Sequence, residues 1–420
     1  MYKETLYGLD KKGGFKVWEI ETNDSEDGLT SNIVVRHGKL DGAMTEQVTA
    51  VAKGKQGRTV SEQAVNEAKG KVKEKLDKNY RRTQAELTEL PLLPMLASDN
   101  REQGHRIDYE AGVDLSDKLD GVRLLAKCVY DQERQHSVVQ LFSRTGQPYV
   151  IPHIEQELTS FMEPGDVLDG EAYLHGEALQ DITSAVKRTD PQAKIDEIHR
   201  AIEKNGADYR KPSKEEGVVN PTLAEELENA DLIQRIRPQL QFIVFDLPSD
   251  KVWHERLEDL TTYAKKRFLG EDAFVKLIKY TRVFNEEAMK YWHKDAVSRG
   301  YEGIMLRNML GLYESGKRSA DLQKYKEFLD SEFLVIGYTF DKDGHIVFVC
   351  RNDLNDFPFS VIFGTDEEKT AMLAVAGKFM HKYLKVKYQS RYKKTLLPQF
   401  PTGIMFRDGK LVNGEFVPDE

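Results

Sequence analysis

The amino-acid sequence predicts an α+β protein made of several domains. Three observations carry this prediction. The chain has 420 residues, of which 40% are hydrophobic, and this is enough for two or three separate cores. Short apolar runs typical of strands alternate with stretches of helical period, so neither class fills the chain. Two prolines, Pro91 and Pro94, interrupt a polar stretch and mark a boundary between domains.

The composition excludes several classes of protein. The formal net charge of -9 argues against attraction of the whole protein to nucleic acid, so local patches must carry any such binding. The two cysteines, Cys128 and Cys350, lie far apart without a CxxC, which excludes a thiolate zinc site and gives no disulfide framework. The histidines show no metal-ligand spacing. Without a signal-like start or a long apolar run, we expect a soluble, cytoplasmic protein with no membrane partner.

Changes in pattern divide the chain into segments. The predicted boundaries are a small α+β domain at 1–85, a linker at 86–96, a larger domain at 97–330 and a last domain at 331–420. The last ninety residues consist of strand patterns with one helix, which predicts a small β-barrel. We therefore expect three folded domains.

The first domain has strand patterns near Val17 and Val34, and a helical period from Ser61 to Tyr80. Between Lys53 and Arg82 there are ten Lys or Arg against four Asp or Glu, so this face is basic within an acidic protein. Two interpretations stay open. The face is either a solvated helix surface or a surface that contacts a phosphate backbone.

The chain is organised around residues 118–123, which have the form KxDGxR. A lysine becomes a nucleophile when burial or a neighbouring cation lowers the pKa of its ammonium, and this makes Lys118 a candidate. Asp120 and Gly121 predict a tight turn that allows close approach of a ligand. Arg123 could offer a planar fork to a phosphate or a ribose hydroxyl. A charged surface turn would be the alternative.

Later motifs supply the groups that such a lysine needs. The candidates are Asp169 and Glu171 on one face of a strand, Phe245 before the acid of a buried strand, Glu302 at a strand mouth, and Lys324 with Lys326 two residues apart. Together they supply carboxylates suited to Mg²⁺, an aromatic ring to stack a base, and cations for phosphate. The set predicts a site for nucleotidyl transfer.

Other polar residues are candidates for contact with a phosphate backbone. Ser143 and Arg144 follow a strand at a predicted turn, and Lys187 and Arg188 end a short helix. The insert at 190–236 is charge-rich and partly helical, and its role cannot be read from the sequence. The stretch from Gly311 to Arg318 nearly spells a P-loop, but Arg318 replaces the required hydroxyl, so we expect it to lead into the strand of Lys324 instead.

In order and spacing, these motifs resemble the nucleotidyltransferase motifs of ATP-dependent DNA ligases, especially those of bacteriophages and viruses. The resemblance covers residues 93–410 and implies a covalent nucleotidyltransferase with an ATP-grasp-like adenylation domain, followed by an OB-fold barrel. The pattern of residues 16–68 is similar to that of WGR domains, which sit on DNA ends, although the Trp-Gly-Arg signature itself is absent.

The resemblance also implies roles for individual residues. Lys118 would carry AMP with Ser116 near the adenine, and Asp120, Arg123 and Glu171 would order the ribose and the lysine. Phe245 would stack on adenine, Asp169, Glu171 and Glu302 would serve Mg²⁺, Lys324 and Lys326 would hold the α-phosphate of ATP, and Arg407 the β,γ-phosphates. Arg144 would hold the 5′-phosphate of nicked duplex DNA. The implied protein is a monomeric enzyme of DNA replication, repair or recombination, in the host cytoplasm if viral.

Four other protein classes share parts of this pattern. mRNA-capping guanylyltransferases share the lysine motif and bind GTP, but they favour an aspartate where Glu302 stands, and RNA ligases often lack the arginine that is Arg123 here. An NAD-dependent ligase needs a four-cysteine zinc finger, which two cysteines cannot build. The non-enzymatic alternative is a scaffold that binds DNA breaks. Because every motif acid and lysine is present, the ligase is the preferred interpretation.

Overall fold

The computed structural model describes residues 2–10, 14–26, 28–55, 57–89, 92–212, 220–268, 270, 272–341, 344–355, 357–392, 395–412 and 415–418. The chain divides into two compact units, residues 1–325 and residues 326–420. In the described part of the chain, no helix is both long enough and apolar enough to span a membrane.

The first unit begins with a four-stranded antiparallel sheet covered by one helix. Its strands, in sequence and spatial order, are β1 (Lys3–Leu9), β2 (Phe15–Asp24), β3 (Ser31–Lys39) and β4 (Met44–Val51), and the helix is α1 (Val60–Asp77). Thr59 caps the start of this helix. Its hydroxyl accepts the N–H of Glu62, and its own N–H donates to the Glu62 carboxylate. Ala64, Ala68 and Val72 of α1 are buried against the sheet, as the four-residue period predicts.

The rest of the first unit is built on two sheets flanked by helices. The first sheet has six strands in the order β12-β11-β10-β7-β8-β9, and the second has five in the order β13-β6-β14-β15-β5. The strands are β5 (Leu96–Asp99), β6 (Val113–Lys118), β7 (Val122–Asp131), β8 (His136–Phe142), β9 (Pro148–Tyr149), β10 (Val167–Tyr173), β11 (Gln241–Asp246), β12 (Val275–Leu277), β13 (Thr281–Val283), β14 (Gly303–Asn308) and β15 (Arg318–Tyr325).

Seven helices accompany these sheets in the described residues. They are α2 (Asn100–Gln103), α3 (Pro152–Thr159), α4 (Leu179–Lys187), α5 (Pro191–Asn205), α6 (Leu223–Ile236), α7 (Trp253–Arg267) and α8 (Glu286–Ser298). The six-stranded sheet carries the largest apolar core, and α8 covers a second core on β6 and β14. The insert predicted at 190–236 forms α5 and α6, which share a small core of their own; residues 213–219 lie outside the described part. The helices pack on these two sheets, and the sheets carry the candidate residues at the ends of their strands.

The second unit contains an antiparallel sheet in the order β18-β17-β16-β19-β20 and a short hairpin. Its elements are β16 (Leu329–Phe340), β17 (Ile346–Arg351), β18 (Pro358–Val361), α9 (Asp366–Leu373), β19 (Tyr383–Tyr388), β20 (Thr402–Arg407), β21 (Gly409–Val412) and β22 (Glu415–Pro418). In the described residues these strands do not close into the small β-barrel that the sequence predicts. A closed barrel needs its two edge strands to pair, but within the described part of the chain the edges of this sheet meet only at one bridge, between Ile362 and Thr402.

Candidate active site

Lys118 lies where the chain passes from one sheet to the other. It ends β6 of the five-stranded sheet, and β7 of the six-stranded sheet begins at Val122. Gly121 is required in this crossing, because a Cβ atom there would lie 2.5 Å from the carbonyl oxygen of Ala172. Its N–H donates to the Glu171 carboxylate at 3.1 Å. The segment predicted as a tight turn therefore links the end of β6 to β10 through this hydrogen bond.

Glu302 is the charged partner of Lys118. β6 and β14 are antiparallel with Lys118 opposite Gly303, so Glu302 enters the sheet beside the lysine. The N–H of Glu302 donates to the carbonyl of Lys118 at 3.2 Å, and the two side chains form an ion pair. The register therefore places the amine of the KxDGxR motif against the carboxylate that was predicted at a strand mouth.

Cross-strand register also brings Ser116 and Lys324 to the face of Lys118. Met305 of β14 is opposite Ser116 on one side and opposite Lys324 on the other. Because alternate residues of a strand share a face, Ser116 and Lys118 lie on the same side of the sheet. The ammonium of Lys324 lies 3.8 Å from the carboxylate of Asp99.

Lys326 does not continue this row, because β15 ends at Tyr325 and Lys326 begins the second unit. Within that unit its ammonium contacts Gln389 and lies 5.4 Å from the ring centre of Phe328. Arg407 also belongs to the second unit, where it forms an ion pair with Glu332 and lies over the ring of Phe416.

Arg123 and Asp169 form a buried fork on neighbouring strands. The Nε and Nη2 atoms of Arg123 donate to the two carboxylate oxygens at 2.7 and 2.6 Å, and the ion pair raises the pKa of the guanidinium. Asp169 is fully buried and accepts a further hydrogen bond from the Tyr313 hydroxyl at 2.7 Å. Burial and this carboxylate raise the pKa of the Tyr313 phenol, which therefore keeps its proton.

Glu171 and Asp120 complete the carboxylates around the lysine. Burial raises the pKa of Glu171, while the charges of Lys118 and Arg123 and the N–H of Gly121 oppose that rise. Asp120 is half-buried, and its negative charge also raises the pKa of Glu171. Glu302 is thus the direct ion-pair partner of Lys118, while Glu171 interacts electrostatically with both Lys118 and Asp120.

The residues present suit Mg²⁺ in part. Mg²⁺ typically takes one or two protein carboxylates together with substrate phosphates and waters. Glu171 and Glu302 both lie by Lys118 and could serve in this way, but Asp169 does not fit, because Arg123 and Tyr313 occupy both of its oxygens. No group of three or more acidic, histidine or cysteine side chains suited to a metal occurs in the described residues.

Phe245 lies between two arginines. Its ring centre is 4.7 Å from the guanidinium carbon of Arg123 and 5.7 Å from that of Arg307. Next to it, the buried Asp246 pairs with both Arg256 and Arg307. The ring is therefore held in a fixed place beside the Arg123 fork, where it presents an aromatic surface flanked by positive charge.

Ser143 and Arg144 occupy the predicted turn after β8. The Ser143 hydroxyl is buried and accepts the N–H groups of Thr145 and Gln147, so it shapes the turn. The exposed Arg144 makes no hydrogen bond or ion pair with a described residue. Partial desolvation and the nearby cations Arg318 and Arg123 lower the pKa of Arg144. Uncompensated positive charge of this kind suits a phosphate.

Lys187 and Arg188 end α4, as predicted, and Lys187 is exposed. No contact found in the described residues joins either of them to the Lys118 site.

Sequence reasoning missed two residues at the Arg123 fork, Met95 and Tyr313. The carbonyl of Met95 accepts Nη2 of Arg123 at 3.0 Å, and the hydroxyl of Tyr313 donates to Asp169. Tyr313 lies in the P-loop-like stretch, which does lead into β15 as expected.

Comparisons with known proteins match the part of the chain that contains Lys118. A family model described as "ATP dependent DNA ligase domain" matches residues 94–326. A DNA ligase of African swine fever virus is 29% identical over 254 residues, covering 56% of this chain and 47% of that protein. The DNA ligase of Enterobacteria phage T4 is 27% identical over 274 residues, covering 59% and 51%. The chain therefore spans about half the length of the curated relatives it matches.

Solved structures show a similar fold at low sequence identity. One from a structure–function analysis of Lig E DNA ligases has a TM-score of 0.53 and 17% identity, covering 75% of this chain and 99% of that one. Another, recorded as Pmar-Lig_PreS3, has a TM-score of 0.55 and 18% identity, covering 83% and 72%. At these identities the likeness concerns the fold alone.

Proposed function

The chain belongs to the family of ATP-dependent DNA ligase domains, and from this premise we propose that it seals nicks in duplex DNA through an AMP adduct on Lys118. The observation that carries the proposal is the Lys118 amine, held against Glu302 at the crossing between two sheets, inside the matched region. Nick sealing is the chemistry that replication, repair and recombination of DNA all require.

The reaction has three displacements at phosphorus. The Lys118 amine, after loss of a proton, attacks the α-phosphorus of ATP, a P–N bond forms and pyrophosphate leaves. An oxygen of the 5′-phosphate at the nick then attacks the same phosphorus and releases the lysine. The 3′-hydroxyl finally attacks the 5′-phosphate, the phosphodiester forms and AMP leaves. Glu302 is the carboxylate placed to hold the amine for the first step.

The remaining residues at the lysine would bind and orient the nucleotide. Arg123 and Glu171 would meet the ribose, Ser116 and Phe245 the adenine, and Lys324 the α-phosphate, with Asp120 balancing the charge of the lysine. Lys326 would also bind the α-phosphate and Arg407 the β,γ-phosphates. When bound beside Glu171 and Glu302, Mg²⁺ would supply charge neutralisation for the phosphates.

The DNA would be recognised through its backbone. Arg144, on the turn that Ser143 shapes, would hold the 5′-phosphate, while Lys187 and Arg188 would add contacts along the duplex. The WGR-like domain at 1–85 would raise affinity for nicked or broken DNA through its basic stretch from Lys53 to Arg82. The domain at 331–420 would act as an OB-like module. The enzyme would act as a monomer in the cytoplasm, or in the host cytoplasm if it is viral.

A nick-sealing assay tests this function. Purified protein is incubated with a duplex that carries a single nick with a 5′-phosphate, Mg²⁺ and ATP, and the joined strand is measured. We expect joining by the wild type and none by Lys118→Arg, which keeps a cation for Glu302 but cannot lose its proton. Strand joining by Lys118→Arg would contradict the proposal. A wild type that joins neither DNA nor RNA strands at a nick would contradict it as well.

A further inference from the structure

The loop from Gly311 to Lys317 has no role in the reaction as proposed, although it touches the site at several points. Its backbone holds the segment that enters the matched domain. The N–H of Gly316 donates to the carbonyl of Leu93 at 3.1 Å, and the N–H of Leu96 donates to Lys317 at 2.8 Å. The carbonyl of Gly311 accepts Nη1 of Arg256 at 3.0 Å. The loop is therefore anchored at both ends.

Between these anchors, the hydroxyl of Tyr313 makes two hydrogen bonds. It donates to Asp169 at 2.7 Å and accepts the N–H of Met95 at 3.2 Å. Asp169 in turn holds Arg123 in a fork, and the carbonyl of Met95 accepts Nη2 of Arg123 at 3.0 Å. Tyr313, Asp169, Arg123 and Met95 thus form a closed ring of hydrogen bonds.

The ring determines which donors of Arg123 remain for a ligand. A guanidinium has five N–H donors in one plane. Nε and Nη2 are engaged by Asp169 and Met95, whereas Nη1 has no hydrogen-bond partner among the described residues. The ring of Phe245 packs on the guanidinium at 4.7 Å and limits its rotation. The plane of Arg123 is thus fixed with one amino group left open.

We propose that Tyr313 is a positioning residue for Arg123. Through Asp169 and Met95 it holds the guanidinium so that Nη1 meets an oxygen of the nucleotide during formation of the AMP adduct. This inference rests on the proposed function, because the nucleotide is the ligand it invokes. Removing the hydroxyl would leave Met95 N–H without its acceptor and Asp169 with one donor fewer, and Arg123 would lose its defined orientation.

The test compares two matched tyrosine variants in a single-turnover assay. Formation of the AMP adduct on the full chain is followed by intact mass at saturating ATP and Mg²⁺. We expect Tyr313→Phe to slow the reaction by about tenfold to a hundredfold, because misorientation near a reacting centre costs this much. Tyr263→Phe is the control, since its hydroxyl donates to Asp166 at the same 2.7 Å away from the Arg123 ring. It should leave the rate unchanged.

A double-variant experiment separates positioning from general stability. If Tyr313 acts through Arg123, adding Tyr313→Phe to Arg123→Ala causes no further slowing. An equal slowing in both backgrounds would overturn the proposal, and so would a wild-type rate for Tyr313→Phe. Should Tyr313→Phe fail to fold, Asp169→Asn loosens the same ring and must show the same non-additivity. An active wild type with an unaffected Tyr313→Phe refutes this inference alone, whereas an inactive wild type refutes the proposed function with it.

Discussion

Two aspartates that face each other across β10 and β11 have opposite surroundings. Asp169 and Asp246 are opposite each other in the pairing of β10 with β11, and both are fully buried. Each accepts hydrogen bonds from an arginine through both of its carboxylate oxygens. Asp169 holds Arg123, whose side chain is 19% exposed. Asp246 holds Arg256 and Arg307, which are 1% and 5% exposed. The arginine of the first pair is partly exposed, whereas the arginines held by Asp246 are sealed inside the protein.

The difference teaches how one kind of contact serves two purposes. Breaking a buried ion pair leaves an unpaired charge in a medium of low polarity, so a sealed pair makes its strands dependent on each other. An open pair adds something else. Because the carboxylate of Asp169 and the carbonyl of Met95 take the donors of Nε and Nη2, Arg123 keeps Nη1 for a ligand in a fixed plane. We therefore expect the sealed pair to govern stability and the open pair to govern the reaction.

The largest expected effect is on stability, from Asp246→Asn. The change leaves Arg256 and Arg307 without their carboxylate, and it should lower the free energy of unfolding by about 3–5 kcal/mol. Urea denaturation measures this loss. The matched variant Asp169→Asn should cost less stability, because Arg123 can reach water, but it should slow formation of the AMP adduct. If both variants lost the same stability and both formed the AMP adduct at the wild-type rate, the two aspartates would not differ in role and the comparison would be wrong.

An intermediate effect is expected at Arg144, an exposed arginine with no acid partner in the described part of the chain. Starting from protein already carrying AMP, Arg144→Ala should slow transfer of AMP to the nick by about tenfold to a hundredfold, the worth of one charged hydrogen bond. Formation of the adduct with ATP should not change. Arg134→Ala is the control, since Arg134 is exposed and paired with Asp131. A similar slowing in both variants would show that general surface charge is responsible.

The smallest effect is expected from Asp99, which pairs with the 46% exposed Arg101. This hydrogen-bonded arginine, with Lys324 nearby, lowers the pKa of Asp99 to about 2. Because the pKa is lower in the folded than in the unfolded protein, the pair stabilises above about pH 4 and loses this contribution as the pH falls toward 2. The contribution should stay below about 1 kcal/mol, because an exposed pair is well screened.

Urea denaturation of the wild type and of Asp99→Asn checks this dependence. At pH 6 the wild type should be slightly more stable, and the difference should shrink by pH 3. A difference that is constant over this range would mean that Asp99 contributes through packing rather than charge.

Much of the site was predictable from local pattern. The KxDGxR stretch and the strand of Asp169 and Glu171 needed only the alternation of a strand and the chemistry of lysine. The α1 helix followed from its four-residue period. The ring around Arg123 was not predictable, because Tyr313 lies 144 residues from Asp169 and their contact depends on strand register between distant segments.

The barrel and the metal role of Asp169 are two further predictions that the structure does not match, for physical reasons. A barrel requires the edges of the last sheet to pair, but in the described residues they meet only at the bridge between Ile362 and Thr402, and composition does not predict which edges pair. A metal role for Asp169 followed from its place two residues before Glu171, whereas its actual partners come from β7 and the loop before β15. Side-chain alternation predicts which face a residue occupies, but not which donor will reach it.

The most direct test of the account is the mass of the intact protein after incubation with Mg²⁺ and ATP, GTP or NAD⁺, using protein shown to be free of adduct at the start. We expect a gain of one AMP with ATP alone in the wild type, and no gain in Lys118→Arg. A gain of GMP from GTP would place the protein among capping enzymes. No adduct with any of the three nucleotides would contradict the account and favour a scaffold that binds DNA breaks.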